Sequence, residues 1–271
     1  MYLTQHQTDI GPRWALNGHY LPSGFKLQML LAMPHRAIVD VLAAMPAMGV
    51  ADGPLLAPVE ALHEVWASGV TYLRSRDARQ AESDVSDVYE RVYDAQRPEI
   101  FFKSIGWRVM GHKQAVRIRQ DSSWNVPEPE LTLVVNAHQE IIGFCIGNDI
   151  SSRSIEGENP LYLPQAKTYQ GACALGPGIK IIEYADFLQS LSIQMTIRRA
   201  NEVVFAGETT ISQMKRTLTE LVAYLGRELD FPFGVFLMTG TGLVPSDAFT
   251  LQAEDVVRIT IASLTLENHV K

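Results

Sequence analysis

Cysteine is scarce in this chain. Its 271 residues include two, Cys145 and Cys173, too few for a disulfide framework and not spaced as a C-x-x-C pair. A reducing cytoplasm is the setting this implies. Dense runs of Lys and Arg are missing as well. The 23 basic residues against 30 acidic ones leave a formal charge of −7, so the footprint of a nucleic-acid binder is absent. No long apolar run occurs: the most apolar N-terminal stretch, Leu27 to Val50, is broken by Pro34, His35, Arg36, Asp40 and Pro46 and falls short of a membrane span. The opening residues, Met1 to His6, have no basic head followed by an apolar block, the pattern of an export signal. Repeats and low-complexity tracts are likewise missing. What is present, at 46% hydrophobic content, is enough apolar material for a substantial core in one large domain or two unequal ones.

Organisation changes near residue 97. This divides the chain into a small mixed α/β N-terminal domain, 1–96, and a larger catalytic domain, 97–271. In the first part, Leu62, Val65 and Trp66 predict a short helix within 61–70. A longer helix is expected over 75–93, where Val85, Val88, Tyr89, Val92 and Tyr93 recur at three- and four-residue steps. Pro98 stops it. Beyond that point short β-rich runs alternate with turns, at 100–102, 115–118, 131–135, 141–146, 179–182, 191–197, 202–205 and 256–261. One later helix, about 211–229, places Met214, Leu218, Leu221, Val222 and Leu225 on one side. The fold class that follows is α+β and β-rich, around an antiparallel or mixed β core.

Chemistry concentrates between Pro127 and Lys167. Glu128 and Glu130 stand two apart in an apolar run that reads as a strand, so their side chains project to the same side. The polar stretch 136–140 turns the chain, and 141–146 reads as the returning strand of a hairpin. A turn centred on His138 pairs Glu130 with Ile146 and Glu128 with Asn148. Asp149 is the next residue along, which brings three acids to one end of the hairpin. Crowded carboxylates repel and raise each other's pKa unless a cation intervenes. Oxygen ligands without Cys or His suit Mg²⁺, with Mn²⁺ or Ca²⁺ as alternatives, rather than zinc. The competing reading is an ordinary solvated edge strand with Asp149 capping a turn.

The continuation favours the first reading: Gly147-Asn148-Asp149-Ile150-Ser151-Ser152-Arg153-Ser154, then Lys167, then Gly176-Pro177, Gly240-Thr241-Gly242 and Ala253-Glu254-Asp255-Val256-Val257. From roughly Arg97 to Ile261 the chain resembles the fumarylacetoacetate hydrolase family. Arg97-Pro98-Glu99-Ile100-Phe101-Phe102-Lys103 and Glu158-Asn159-Pro160-Leu161-Tyr162-Leu163-Pro164-Gln165 are similar to its sugar-acid dehydratase branch. The resemblance implies a mixed β-roll for the C-terminal domain. It implies Glu128, Glu130 and Asp149 as metal ligands, Lys167 as a catalytic and substrate-binding lysine, and Glu99 as the acid beside the metal. Gly240 and Thr241 fall in the loop that closes on the substrate. A homodimer or homotetramer is also implied.

The activity implied is a Mg²⁺-dependent dehydration of a 2-keto-3-deoxy sugar acid of the pentonate type, through a metal-stabilised enolate, to a 2,5-dioxo acid. Glu99 is the candidate base for the carbon-3 proton. The small-molecule partner is thus a 2-keto acid, with Lys167 and Arg97 or Lys103 supplying local positive charge. A hydrolase, decarboxylase or isomerase of acylpyruvate or ring-cleavage 2-keto acids is the alternative, sharing the same metal chemistry. The hydrolase branch activates water with an upstream histidine; His112 lies in that interval, but Met110-Gly111-His112-Lys113 does not read like that motif. A non-catalytic binder of a small dicarboxylate is a third reading. Arg153 either binds the substrate carboxylate or orients the ligands. Tyr162 and Tyr169 are expected to shape the pocket, and His138 to sit exposed at the hairpin tip. Lys167 is read as an electrostatic group rather than a Schiff-base nucleophile.

Overall fold

Val, Ile, Thr and aromatic residues dominate the runs between turns, and these are the residues that fit a pleated, packed surface. The computed structural model describes residues 1–73 and 91–271. In chain order its strands are β1 (Tyr2–Thr8), β2 (Gly11–Leu16), β3 (His19–Tyr20), β4 (Leu55–Leu56), β5 (Glu64–Gly69), β6 (Glu99–Ile105), β7 (Ala115–Val116), β8 (Asn125–Val135), β9 (Ile141–Ser152), β10 (Cys173–Ile181), β11 (Ser192–Arg199), β12 (Glu202–Thr210), β13 (Val235–Met238), β14 (Val256–Ile261) and β15 (Leu264–Val270). Ten of them form one sheet in the order β3-β2-β1-β10-β9-β8-β13-β5-β6, with β4 added beside β1. The other five run β12-β11-β14-β15-β7. Both sheets are mixed: β13 and β5 are parallel, as are β15 and β7, and the other pairs are antiparallel. Strands from both sides of residue 97 share the larger sheet. The β-rich α+β class expected from the sequence is therefore what the chain adopts.

β8 and β9 are buried along their whole length, because both faces of this hairpin are covered. On one face Leu131, Leu133, Phe144 and Ile146 pack against Ile193, Ile197, Ile259 and Leu266 of the second sheet. On the other, Val134, Ile142 and Cys145 pack with Leu27, Leu31, Ile38 and Leu42. Those last four come from the short helix Leu27–Leu31 and the helix His35–Ala44. Ile38 and Leu42, four apart on one helical face, are the buried residues of the longer helix.

The hairpin register differs from the symmetric one. Near the turn Val135 pairs with Ile141, as a loop centred on His138 requires, but Val134 pairs with Gly143. Ile142 is an extra residue, a β-bulge, and it shifts every later pair by one. Glu128 therefore lies opposite Asp149, not Asn148, and Glu130 opposite Gly147. Directly paired residues share a face, whereas in the symmetric register Asp149 would have pointed away from both glutamates.

Two helix expectations are corrected. Residues 61–70 hold strand β5: Val65 and Ala67 alternate into the core while Leu62 is 70% exposed. Pairing with β13 on one side and β6 on the other overrides the short helical spacing. The helix expected over 211–229 is confined to Leu218–Leu225. The Thr217 hydroxyl accepts the Glu220 N–H at 3.1 Å and starts the helix there, and Gly226 ends it. The helix expected over 75–93 falls largely outside the described residues.

Candidate active site

Each element of the centre delivers one kind of group. β8 brings Glu128 and Glu130, and β9 brings Asp149 and Ser151, all on the face opposite the second sheet. Gly147, across from Glu130, leaves the space: a Cβ there would stand 2.4 Å from Thr132 Oγ1 and 2.6 Å from Met238 Cε. The short helix Leu163–Lys167 ends on Lys167, and the helix Arg153–Glu158 opens on Arg153 directly after β9. Glu128, Glu130 and Asp149 are 4%, 1% and 1% exposed, and one oxygen from each lies within 4.8 Å of the others. The donor set is three carboxylate oxygens and no softer ligand, which fits a hard divalent cation.

Cationic side chains surround the trio. Lys167 Nζ donates to Glu128 Oε2 at 2.7 Å, Asp149 Oδ2 at 3.1 Å and Ser151 Oγ at 2.6 Å, and lies 5.8 Å from the centre of the Phe101 ring. Arg153 bridges Glu128 Oε1 at 2.9 Å and Glu156 Oε2 at 3.0 Å. Lys103, from β6, meets Asp149 Oδ1 at 2.5 Å. That contact is a charge pairing off the hydrogen-bonding direction; the Lys103 ammonium also donates to the carbonyls of Ile150, at 3.2 Å, and Lys167. Among the described residues this cluster holds four carboxylates and three cations. The shortfall falls on Glu130, whose carboxylate meets the Gly240 N–H at 2.6 Å and forms no ion pair among the described residues. Full burial, then the charges of Asp149 and Glu128, hold its pKa well above the ordinary carboxylate range.

The remaining expected residues are placed as follows. Glu99 opens β6, half-buried, with its carboxylate against Gly69: a Cβ on that glycine would stand 2.0 Å from Glu99 Oε2. It is not one of the three clustered acids. Gly240 has φ +88° and spends its N–H on Glu130. The Thr241 hydroxyl turns to its own loop, accepting from Leu243 N–H at 3.1 Å. His138 is exposed at the hairpin tip. His112 accepts the Glu267 N–H at Nδ1, 3.2 Å, from β15. Sequence reasoning missed Ser151 and Glu156 as members of the cluster and treated Lys103 only as diffuse charge. A lysine between Phe102 and Ser104 in a strand was the available signal, since a charge in such a run is buried only when paired.

Residues 64–271 match the fumarylacetoacetate (FAA) hydrolase C-terminal family. The chain belongs to the fumarylacetoacetate hydrolase family. Within it, a probable 2-keto-3-deoxyxylonate dehydratase from Haloferax volcanii is 48% identical over 214 residues, 79% of this chain and 73% of that protein. The 2-dehydro-3-deoxy-D-arabinonate dehydratase of Saccharolobus solfataricus is 43% identical over 206 residues, 74% of this chain and 69% of that protein. A solved structure of 2-keto-3-deoxy-D-arabinonate dehydratase in its apo form superposes with TM-score 0.86 at 33% identity, covering 100% of this chain and 99% of that one. The same enzyme complexed with magnesium and 2,5-dioxopentanoate gives TM-score 0.84 at 32% identity over the same shares. The fumarylacetoacetate hydrolase fold is thus matched along the whole chain, including β1 to β4, which precede the family match.

Proposed function

We propose that the chain is a Mg²⁺-dependent dehydratase of a 2-keto-3-deoxy sugar acid of the pentonate type, yielding a 2,5-dioxo acid. One observation carries the reading: a buried Glu128, Glu130 and Asp149 trio beside Lys167, in a chain 48% and 43% identical to two dehydratases of such acids. Glu128, Glu130 and Asp149 would hold the ion, Mg²⁺ first and Mn²⁺ or Ca²⁺ as alternatives. When bound, the cation would polarise the 2-keto group and make the adjacent C–H acidic.

The protein's own groups do the rest. Lys167 holds the substrate carboxylate by charge and hydrogen bonding, and its three contacts with Glu128, Asp149 and Ser151 suit an ammonium rather than a free amine nucleophile. Glu99 takes a proton from carbon 3 while the carbon-4 hydroxyl departs as water. Elimination leaves a double bond between carbons 3 and 4; loss of a proton from carbon 5 and return of one to carbon 3 converts it to the enol at carbons 4 and 5, which takes up a proton at carbon 4 as its hydroxyl gives one up, so the net change is loss of one water. Gly240 and Thr241 cover the substrate from the loop after β13, and Arg153 orients Glu128 through its 2.9 Å contact. The arrangement excludes water from the trio, which strengthens each of these charge contacts.

We place the enzyme in the cytoplasm, a reading supported by two free, buried cysteines. A homodimer or homotetramer is part of the same reading, following from the resemblance to the family. The deciding experiment offers the purified protein a panel of 2-keto-3-deoxy acids and acylpyruvates, with Mg²⁺ and with EDTA, followed by mass. A Mg²⁺-dependent product lighter by one water is the expected result. Cleavage of an acylpyruvate with no dehydration of any sugar acid would overturn the reading.

A further inference from the structure

Each acid of the trio has one oxygen against a fixed cationic or N–H group. Glu128 Oε1 is held by Arg153 at 2.9 Å, Glu130 Oε2 by the Gly240 N–H at 2.6 Å, and Asp149 Oδ1 by Lys103 at 2.5 Å. Lys167 touches the other oxygen of Glu128 and of Asp149. Both oxygens of Glu128 and of Asp149 thus meet a cationic side chain, and on Asp149 an entering ion would have to take the place of Lys167 at Oδ2 while Lys103 stays at Oδ1.

Lys103 is the unusual member of this set. Its side chain has no exposed surface, and its ammonium is pinned between a side-chain carboxylate and two backbone carbonyls, those of Ile150 and Lys167. β6 slips by one residue against β5 at this point: Val65 pairs with Ser104, but Trp66 pairs with Phe102. Lys103 is the extra residue of that bulge, an irregularity that redirects a side chain from its regular position. Its hydrogen bonds to the two carbonyls fix the ammonium against Asp149 Oδ1, where it acts by charge rather than by a hydrogen bond.

Divalent ions differ in what they ask of a carboxylate. Ca²⁺ takes six to eight oxygens at about 2.3–2.6 Å and readily binds carboxylates through both, whereas Mg²⁺ takes six at about 2.0–2.1 Å in octahedral geometry. We propose that Lys103 is a selectivity residue: by holding Oδ1 of Asp149 it denies the two-oxygen mode to this ligand and so favours a small octahedral ion over calcium. This rests on the reading of the trio as a metal site. Lys103 acts through Asp149 and is a positioning residue, not one that touches substrate.

The test uses the full-length, chelator-treated protein and the metals alone. Calorimetric titration of wild type and Lys103→Met with Mg²⁺, Mn²⁺ and Ca²⁺ gives the ratio of calcium to magnesium affinity. In Lys103→Met that ratio is expected to move toward calcium by about tenfold or more, the scale on which outer-shell partners act on metal affinity. A ratio within about twofold of wild type, with both proteins binding Mg²⁺, overturns the proposal and leaves the metal site standing. Wild type that binds none of the three ions overturns both. Infrared difference spectra of wild type with ¹³C-carboxyl aspartate, calcium-loaded against metal-free, decide the matter even where the variant does not fold. One-oxygen carboxylate splitting supports the proposal, and two-oxygen splitting at the labelled aspartate overturns it.

Discussion

A carboxylate sealed from water beside two other carboxylates resists ionisation, and Glu130 is in that situation even though the Gly240 N–H works the other way. Replacing it by Gln removes the burden of a buried charge while keeping an acceptor for the Gly240 N–H. The metal-free protein should then gain stability, on the order of 1 kcal/mol, while the rise in melting temperature on adding Mg²⁺ disappears. Thermal melts with and without Mg²⁺ check both halves, and a variant that still responds fully to Mg²⁺ refutes the assignment of Glu130. A second residue sets a pH dependence away from the site. His63 accepts the Glu60 N–H at Nδ1, 2.9 Å, and faces the Phe233 carbonyl at 3.0 Å through Nε2, as a neutral ring does. Burial lowers its pKa from 6.5, so the unfolded chain takes up the proton first as pH falls. Its stability contribution is complete above pH 6.5 and is lost on descending from there toward the folded value, at up to about 1.4 kcal/mol per pH unit. Urea titrations at pH 7.5 and 5.5 measure this slope, which His63→Gln should flatten. At this scale the meeting of the three acids was legible, residue type and spacing suggesting it and the family resemblance favouring it over a solvated strand, while Lys167 was pointed to by the resemblance alone. The partners Lys103 and Glu156 were not, since only the fold brings Lys103 and Asp149, far apart in the chain, into contact.

At the scale of elements, alternation and length marked most strands correctly, and β8 and β9 were readable because a long apolar run bounded by a polar turn has few other uses. Strand β5 was misread: its neighbours β13 and β6 decide it, and neither is local. The shortened helix could have been read more closely from Thr217 and Glu220, three apart, and from Gly226. The bulge at Ile142 has no signature of its own in the sequence. Gly147 is where this hairpin tolerates least. An added methyl meets Thr132 Oγ1 and Met238 Cε, in an interior with no slack, so Gly147→Ala should cost roughly 1–3 kcal/mol and weaken Mg²⁺ binding through displacement of the facing Glu130. Denaturant unfolding together with metal titration separates the two effects; unchanged values in both would show that the strands part easily here.

For the whole molecule, the two sheets and the helical layer enclose the trio, so an ion bound there is bound only by the folded chain. Saturation with Mg²⁺ at about a hundred times its dissociation constant should add about 2.7 kcal/mol to the unfolding free energy, seen as a rise of several degrees in melting temperature. Chelation should reverse it; indifference of the melt to both treatments would mean that the acids serve the fold alone. The single surplus residue in β9 reaches further than its size suggests. From Gly143 onward the strand counts odd where it would otherwise count even, so absorbing Ile142 into a regular ladder would swap inside for outside all the way to Ser152, whereas deleting it would leave every later pair in place. In that flattened register Asp149 and Ser151 would leave the cluster, and Asn148 and Ile150 would take their places. Descendants of this chain can lengthen or shorten the exposed tip at His138 with little harm, but they can alter the tally between Gly143 and Asp149 only by twos.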